Sequence, residues 1–196
     1  MHNYIELSKK FTDFWQPKWQ SLYDRIDETQ NCKHLHWKYV LEPNKVKEDY
    51  LHDFSWLNEI LSYNIDKDSI VFFKTNGEQK PNVKPHVDPG EMHWALVFPV
   101  YNCTEDVVTS WVEPLGNISA NYAEYNNCYD TAVLNLRSDY KVIETYAITD
   151  RAIMFKGDQW HKVTSLHNRN ETRVIAKIWS EHLTLNYLKD ICKDII

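Results

Sequence analysis

The sequence predicts one α+β domain whose core is a β-sandwich or barrel, and three observations carry that reading. The 196 residues are 43% hydrophobic and 26% charged, the balance of an ordinary globular chain long enough for a single sizeable core. There are 8 Trp, 12 Tyr and 7 Phe against only 4 Gly, and rigid aromatics favour strands and pocket walls. The hydrophobic period then changes from 3.6 to 2 after the polar stretch at 64–68, so helices come first and roughly eight closely spaced strands follow.

Taken in order, residues 3–28 carry Phe11, Phe14, Trp15, Trp19, Leu22 and Ile26 at spacings of three and four. Pro17 is expected to divide this stretch into two short helices. In 31–42, Leu35, Trp37, Tyr39 and Leu41 alternate with Lys and His, as in a half-exposed strand with His34 and His36 on its surface side. Residues 45–63 read as an amphipathic helix with Val46, Tyr50, Phe54, Leu57 and Leu61 on one stripe and His52 toward solvent. Residues 1–63 are thus a helical support for a strand-built core at 70–180. That core begins with the apolar run 70–74 and a turn at Asn76-Gly77. Strands follow at 94–100 and 107–112, separated by a loop at 102–106, and Pro114-Leu115-Gly116-Asn117 is a turn. The polar, Tyr-rich stretch 121–130 reads as a loop or lid. Further strands are expected at 132–136, 142–147, 152–155, 161–165 and 172–179, with a turn at Lys156-Gly157-Asp158. Leu185, Leu188, Ile191, Cys192 and Ile195 make a C-terminal helix over 181–196. No internal repeat divides the chain.

The net charge of −6 argues against non-specific nucleic-acid binding, which rests on neutralising phosphates. Cys32, Cys103, Cys128 and Cys192 are scattered and form no C-x-x-C, the pattern of neither a zinc site nor a disulfide scaffold. Three sequons (Asn102, Asn117, Asn170) are present, but the charged N-terminus has no apolar signal region. No run approaches the ~20 apolar residues needed to span a bilayer. The expected setting is a reducing cytoplasm, away from membranes.

The chemistry concentrates in Lys84-Pro-His86-Val-Asp88-Pro-Gly90. On a strand, His86 and Asp88 point to the same side with Val87 on the other, and Pro89-Gly90 then turns the chain away. One imidazole and one carboxylate on a common face are two thirds of a 2-His-1-carboxylate site, which suits non-haem Fe(II) and leaves positions open. His161, after a Gly-containing turn and at the head of a strand, is the candidate for the second imidazole. Opposite strands of a sandwich can bring it to the pair. His167 is its rival, but a loop tip holds a ligand less rigidly than a strand; His93 reads as an ordinary strand residue. Arg173 opens the apolar strand Arg-Val-Ile-Ala-Lys-Ile-Trp, and if it points inward it needs a partner. A carboxylate bound bidentately would meet that need. Lys177 shares the face of Arg173 by parity, as a second anion contact or a solvent-facing residue at the barrel mouth.

With His86-Val-Asp88, a distal His161 and Arg173 twelve residues on, the chain resembles the Fe(II)- and 2-oxoglutarate-dependent oxygenases. The resemblance covers residues 70–179. It includes the Ala95–Cys103 and Val108–Trp111 strand contexts and the Phe155-x-Gly157-x-x-Trp160-His161 approach. The tail Arg173-Val-Ile-Ala-Lys-Ile-Trp-Ser is similar to the end of aspartyl/asparaginyl β-hydroxylases, which lack the carboxylate ligand that Asp88 would supply; the subfamily stays unassigned.

What the resemblance implies is a double-stranded β-helix, a jelly-roll or cupin-like core with N-terminal helices. His86, Asp88 and His161 would bind Fe(II) as the catalytic centre, and Arg173 would pair with the distal carboxylate of 2-oxoglutarate. O2 would be the oxidant, succinate and CO2 the co-products, and ascorbate an optional addition. An Asp in the third ligand position favours hydroxylation over halogenation. Trp94 and Thr109, on the strands after the metal motif, are the further candidates for cosubstrate contact. Tyr101, Asn102 and Trp111 lie nearby, and each of these five serves packing equally well. Thr75 and Lys84 are within reach of the keto-acid end. The substrate would be a small metabolite or an amino-acid residue of a peptide. The alternative is a non-catalytic cupin-like protein that binds a metal or small molecule. Oligomeric state is not legible in the residues.

Overall fold

Among the described residues the strands form two antiparallel sheets, each of six strands. The computed structural model describes residues 2–25, 39–41, 69–75, 84–88, 94–124, 132–165, 171–179 and 186. In chain order the elements are β1 (Tyr4–Glu6), α1 (Lys9–Arg25), β2 (Tyr39–Leu41), β3 (Ser69–Thr75), β4 (His86–Val87), β5 (Trp94–Tyr101) and β6 (Val107–Pro114). They continue with β7 (Ala120–Glu124), β8 (Ala132–Leu136), β9 (Tyr140–Ala147), β10 (Ile153–Lys156), β11 (His161–Ser165) and β12 (Arg173–Trp179). One sheet runs β1-β10-β5-β12-β3-β2 and the other β7-β8-β4-β11-β6-β9.

Period-2 alternation divides the first sheet's side chains between two cores. Leu96 and Phe98 of β5, Met154 of β10 and Val174, Ala176 and Ile178 of β12 pack on one face, against Phe11, Trp15, Trp19 and Leu22 of α1. Ala95 and Val97 of β5 with Ile153 and Phe155 of β10 pack on the other, against Trp111 of β6 in the second sheet, with Ile175 of β12 against them. The first sheet is therefore buried on both faces, which is why β5 reads as an unbroken apolar run. Arg173 and Lys177 of β12 share the face of Ile175. They look toward the second sheet.

The helix begins where Ser8 Oγ accepts the backbone N–H of Phe11 at 3.1 Å, an N-cap satisfying one of the orphan donors. It does not break at Pro17. One helix runs through that residue, because Pro17 sits on the exposed side, where the carbonyl that loses its donor can turn to water, while Trp15 and Trp19 hold the buried stripe on either side of it. Phe14, expected on that stripe, is 58% exposed; it lies edge-on to Trp15 with Lys18 over its ring.

The strand count rises above the expected eight because short or polar strands escape a hydrophobic pattern. Residues 4–6, expected to be helical, form β1, paired with β10 through Tyr4↔Phe155. The start of the supposed lid at 121–130 is β7, paired with β8 from Ala120↔Leu136 to Glu124↔Ala132. Polar composition suits an edge strand with one side open to water. Gly116, at φ +71°, makes the turn after β6. Only 39–41 of the strand expected at 31–42 is described, as β2. The helix expected at 45–63 lies outside the described residues, as does that at 181–196 apart from Asn186, which is helical; so do the turns at 76–77 and 89–90, His34, His36, His52, His93 and His167. No helix among the described residues is long and apolar enough to cross a membrane.

Candidate metal centre

His86 and His161 face each other across two neighbouring strands. β4 and β11 pair antiparallel with His161↔His86 as register partners, so the two imidazoles stand side by side on one sheet, their ring centroids 4.3 Å apart. The sequence reading expected opposite strands of the sandwich to bring them together; they are adjacent strands of the same sheet. Asp88 follows β4 directly and its N–H donates to the carbonyl of Gly157 at 2.9 Å. That bond ties the end of β4 to the turn before β11. Asp88 Oδ1 lies 3.7 Å from His86 Nε2 and 3.7 Å from His161 Nε2. One donor atom from each of the three residues falls within 4.8 Å of the others, and all three residues are buried.

The donor chemistry fits a divalent cation. His86 Nδ1 is 2.8 Å from the carbonyl of Lys84, and His161 Nδ1 is 2.8 Å from the carbonyl of Gln159. A carbonyl can only accept, so each Nδ1 carries the proton and each Nε2 turns its lone pair toward Asp88, the tautomer a ligating imidazole needs. The two bonds repeat one device: a carbonyl two residues before each histidine fixes its ring. Burial, reinforced by the neighbouring imidazole, pushes His161 down to about 3. Burial likewise lowers His86, against the opposing pull of Asp88. For Asp88, burial alone would raise the carboxyl, but the Lys177 ammonium, with the imidazoles, holds it well below the usual carboxylate range. Two neutral imidazoles and one carboxylate at neutral pH are the ligand forms a metal requires.

These shifts set an acid-side limit on the metal-free protein. An imidazole whose pKa is lowered from 6.5 to about 3 on folding takes up its proton more readily in the unfolded chain. Its contribution to stability is complete above 6.5 and is lost as pH falls from there toward 3. Asp88, also lowered, adds a loss below its ordinary 3.8. The denaturation midpoint of chelator-treated protein is expected to fall continuously as pH drops from 6.5 toward 4, and His161→Gln is expected to flatten that slope. A midpoint unchanged across this window contradicts the buried neutral pair.

Lys177, left open between anion contact and solvent by the sequence, is buried, with its Nζ 2.5 Å from Asp88 Oδ2 and 4.6 Å from the Phe155 ring centroid. Burial lowers its pKa and the Asp88 carboxylate opposes that. Phe155 meets His161 edge-on at 4.6 Å and Trp111 at 5.3 Å. Trp111, the register partner of His161 on β6, donates its indole N–H to the Lys156 carbonyl at 3.3 Å. Aromatic rings thus pack directly beside the ligand group.

The remaining predicted residues divide. Arg173 opens β12 as expected, is 3% exposed, and occupies the strand face of Lys177, four residues away. Thr109 is buried on β6, two residues from Trp111 on that strand and paired with Val163. Trp94 is not brought to the group. It packs with the cluster that α1 covers, on the far face of the first sheet, with Lys156 over its ring. Tyr101 packs on that same cluster and donates to Asp24 at 2.8 Å; Asn102 donates to the Thr172 carbonyl. The Lys84 side chain is exposed, and its contribution is the carbonyl that orients His86. The side chain of Thr75 lies outside the description; its backbone pairs with Arg173. Sequence reasoning missed Gly157. A methyl there would come within 2.6 Å of Asp88 Oδ2, a demand visible only once the two segments are adjacent. A scan of protein-family models finds no match, and a search of curated proteins returns none.

Proposed function

We propose that this chain is an Fe(II)- and 2-oxoglutarate-dependent oxygenase that hydroxylates a C–H bond of a small metabolite or an amino-acid residue. The observation that carries the reading is the buried His86, Asp88 and His161 group, with both Nε2 atoms 3.7 Å from one carboxylate oxygen. Two imidazoles and one carboxylate on one side of a cation leave its other positions open, the requirement of a non-haem Fe(II) oxygenase.

Strand order supports the double-stranded β-helix that this function implies. Setting aside β1, β2, β7 and β8 leaves eight strands, and these pair first with last (β3–β12), second with seventh (β4–β11), third with sixth (β5–β10) and fourth with fifth (β6–β9). Successive pairs alternate between the sheets. A long hairpin wound in this way is a jelly roll.

Bound iron would supply the site for coupling O2 and 2-oxoglutarate to substrate oxidation, with the balance substrate R–H, O2 and 2-oxoglutarate giving R–OH, succinate and CO2. His86, Asp88 and His161 hold that ion. Arg173, on the Lys177 face of β12, receives the distal carboxylate of the cosubstrate, and Thr109 is the candidate for a second polar contact. Phe155 and Trp111 exclude water beside the ligands, which strengthens every charge interaction there. A reducing cytoplasmic setting belongs to the same proposal and rests on the four scattered cysteines.

The test is succinate formation from 2-oxoglutarate with Fe(II) and ascorbate, comparing wild type with Asp88→Ala and Arg173→Ala. Turnover is expected in the wild type alone, and equal turnover in all three overturns the proposal. A second reading, a cupin-like protein binding a metal or small molecule without turnover, draws on the Lys177 ammonium already seated on Asp88. Calorimetric titration of 2-oxoglutarate into metal-loaded protein separates the two: saturable binding favours the oxygenase, and its absence favours the binding protein.

A further inference from the structure

We propose that Lys177 and Gly157 form a clamp that makes Asp88 a one-oxygen ligand. The inference rests on the metal-centre reading and adds two positioning residues to it. The two oxygens of Asp88 have different surroundings. Oδ1 faces both imidazole Nε2 atoms at 3.7 Å, whereas Oδ2 accepts from Lys177 Nζ at 2.5 Å. A charge-assisted hydrogen bond holds the second oxygen toward the ammonium, so Oδ1 is the oxygen offered to a cation between the imidazoles.

The other jaw is backbone. Gly157 lies so close that a Cβ there would stand 2.6 Å from Oδ2 and 3.1 Å from the Asp88 Cβ, and its carbonyl accepts the Asp88 N–H at 2.9 Å. The carboxylate is thereby seated against a surface that only glycine provides. Lys177 is itself located by the Phe155 ring, 4.6 Å from its Nζ, and Phe155 packs edge-on against His161. A ligand, its clamp and the opposite ligand are thus joined by contacts, the outer-sphere support that orients a metal-binding group. With Asp88 confined to one coordination position, three protein atoms would hold the ion and leave its other positions open.

The test uses Co(II) as the probe, because its visible absorption weakens and shifts as coordination number rises. Wild type, Lys177→Met, Gly157→Ala and Asp88→Ala are titrated with Co(II) without oxygen or cosubstrate, with circular dichroism to check the fold. Lys177→Met is expected to bind Co(II) with a weaker, shifted band, as Oδ2 joins the ion once the ammonium that held it is gone. Gly157→Ala is expected to alter the band by displacing the same oxygen, and it serves alone if Lys177→Met does not fold. A wild-type band in the folded variants overturns the clamp and leaves the metal centre standing. No saturable band in the wild type, or an Asp88→Ala protein that binds like wild type, overturns the metal centre itself.

Discussion

Asp88→Ala is expected to abolish metal binding and, separately, to destabilise the metal-free fold by about 3–5 kcal/mol, the range for removing one partner of a buried ion pair. Both charges lie deep, with side chains 7% and 8% exposed, so solvent screens neither. Truncating the carboxylate takes from the Lys177 ammonium its hydrogen bond to Asp88 Oδ2 and leaves a buried positive charge beside the Phe155 ring. The structural cost therefore comes from the group left behind. The double variant Asp88→Ala/Lys177→Met removes that buried charge as well and is expected to recover most of the lost stability while still binding no metal. Urea unfolding in the presence of chelator measures both variants. An Asp88→Ala protein as stable as wild type shows that the pair is not buried as described, and a double variant no better than the single one shows that the cost lies in lost packing.

Trp19→Ala is expected to cost about 3–5 kcal/mol, the range for emptying a large aromatic from a core, and to leave the affinity of the folded protein for Co(II) unchanged. Trp19 is fully buried and its ring meets Phe98 of β5 at 5.3 Å and Phe72 of β3 at 5.9 Å. It therefore fastens α1 to the outer face of the first sheet. The ligands belong to the second sheet, and between the two lie Ala95, Val97, Phe155 and Trp111. The control is Phe14→Ala: its exposed ring touches Trp15 and Lys18 from the surface, and surface changes of this kind stay within about 0.5 kcal/mol. The denaturation midpoint and a Co(II) titration in native buffer measure the two effects. A Trp19→Ala protein that unfolds like wild type, or that loses Co(II) while folded, contradicts this division of labour.

Much of the ligand group was legible in the sequence because its signals are local. Two residues two apart at a strand end must share a side, so His86-Val-Asp88 declared itself, and a histidine at the head of a strand after a Gly turn is held rigidly, which favoured His161 over His167. Parity also placed Lys177 beside Arg173 on one face, but parity gives direction without depth. Only the packing of Asp88 against that face turned a choice between anion contact and solvent into a buried pair. Trp94 failed for the complementary reason. It follows the metal motif closely, yet the first sheet is apolar on both faces, so alternation could not tell its α1 side from its inner side. Pro17 misled because the rule for proline concerns the carbonyl it strands, and on an exposed face water satisfies that carbonyl. β1 and β7 were missed because an edge strand is specified by its partner's free hydrogen-bonding groups, and those lie far away in the chain.

The nested pairing of strands also governs when the centre can come into being. The innermost pair, β6–β9, closes from nearby segments, but each pair outside it spans more chain: β5–β10, then β4–β11, then β3–β12. Closing long loops costs entropy before any contact repays it, and chains dominated by such pairings fold slowly, over milliseconds to seconds. His86 waits for a strand that begins at residue 161, and the partner of Asp88 is on the last strand described. A chain emerging from the ribosome therefore carries its histidine–aspartate motif as an unassembled segment until β11 and β12 have been made. Metal capture by this group would be an event of late folding: an ion supplied early would find scattered side chains, and one supplied late would find them assembled.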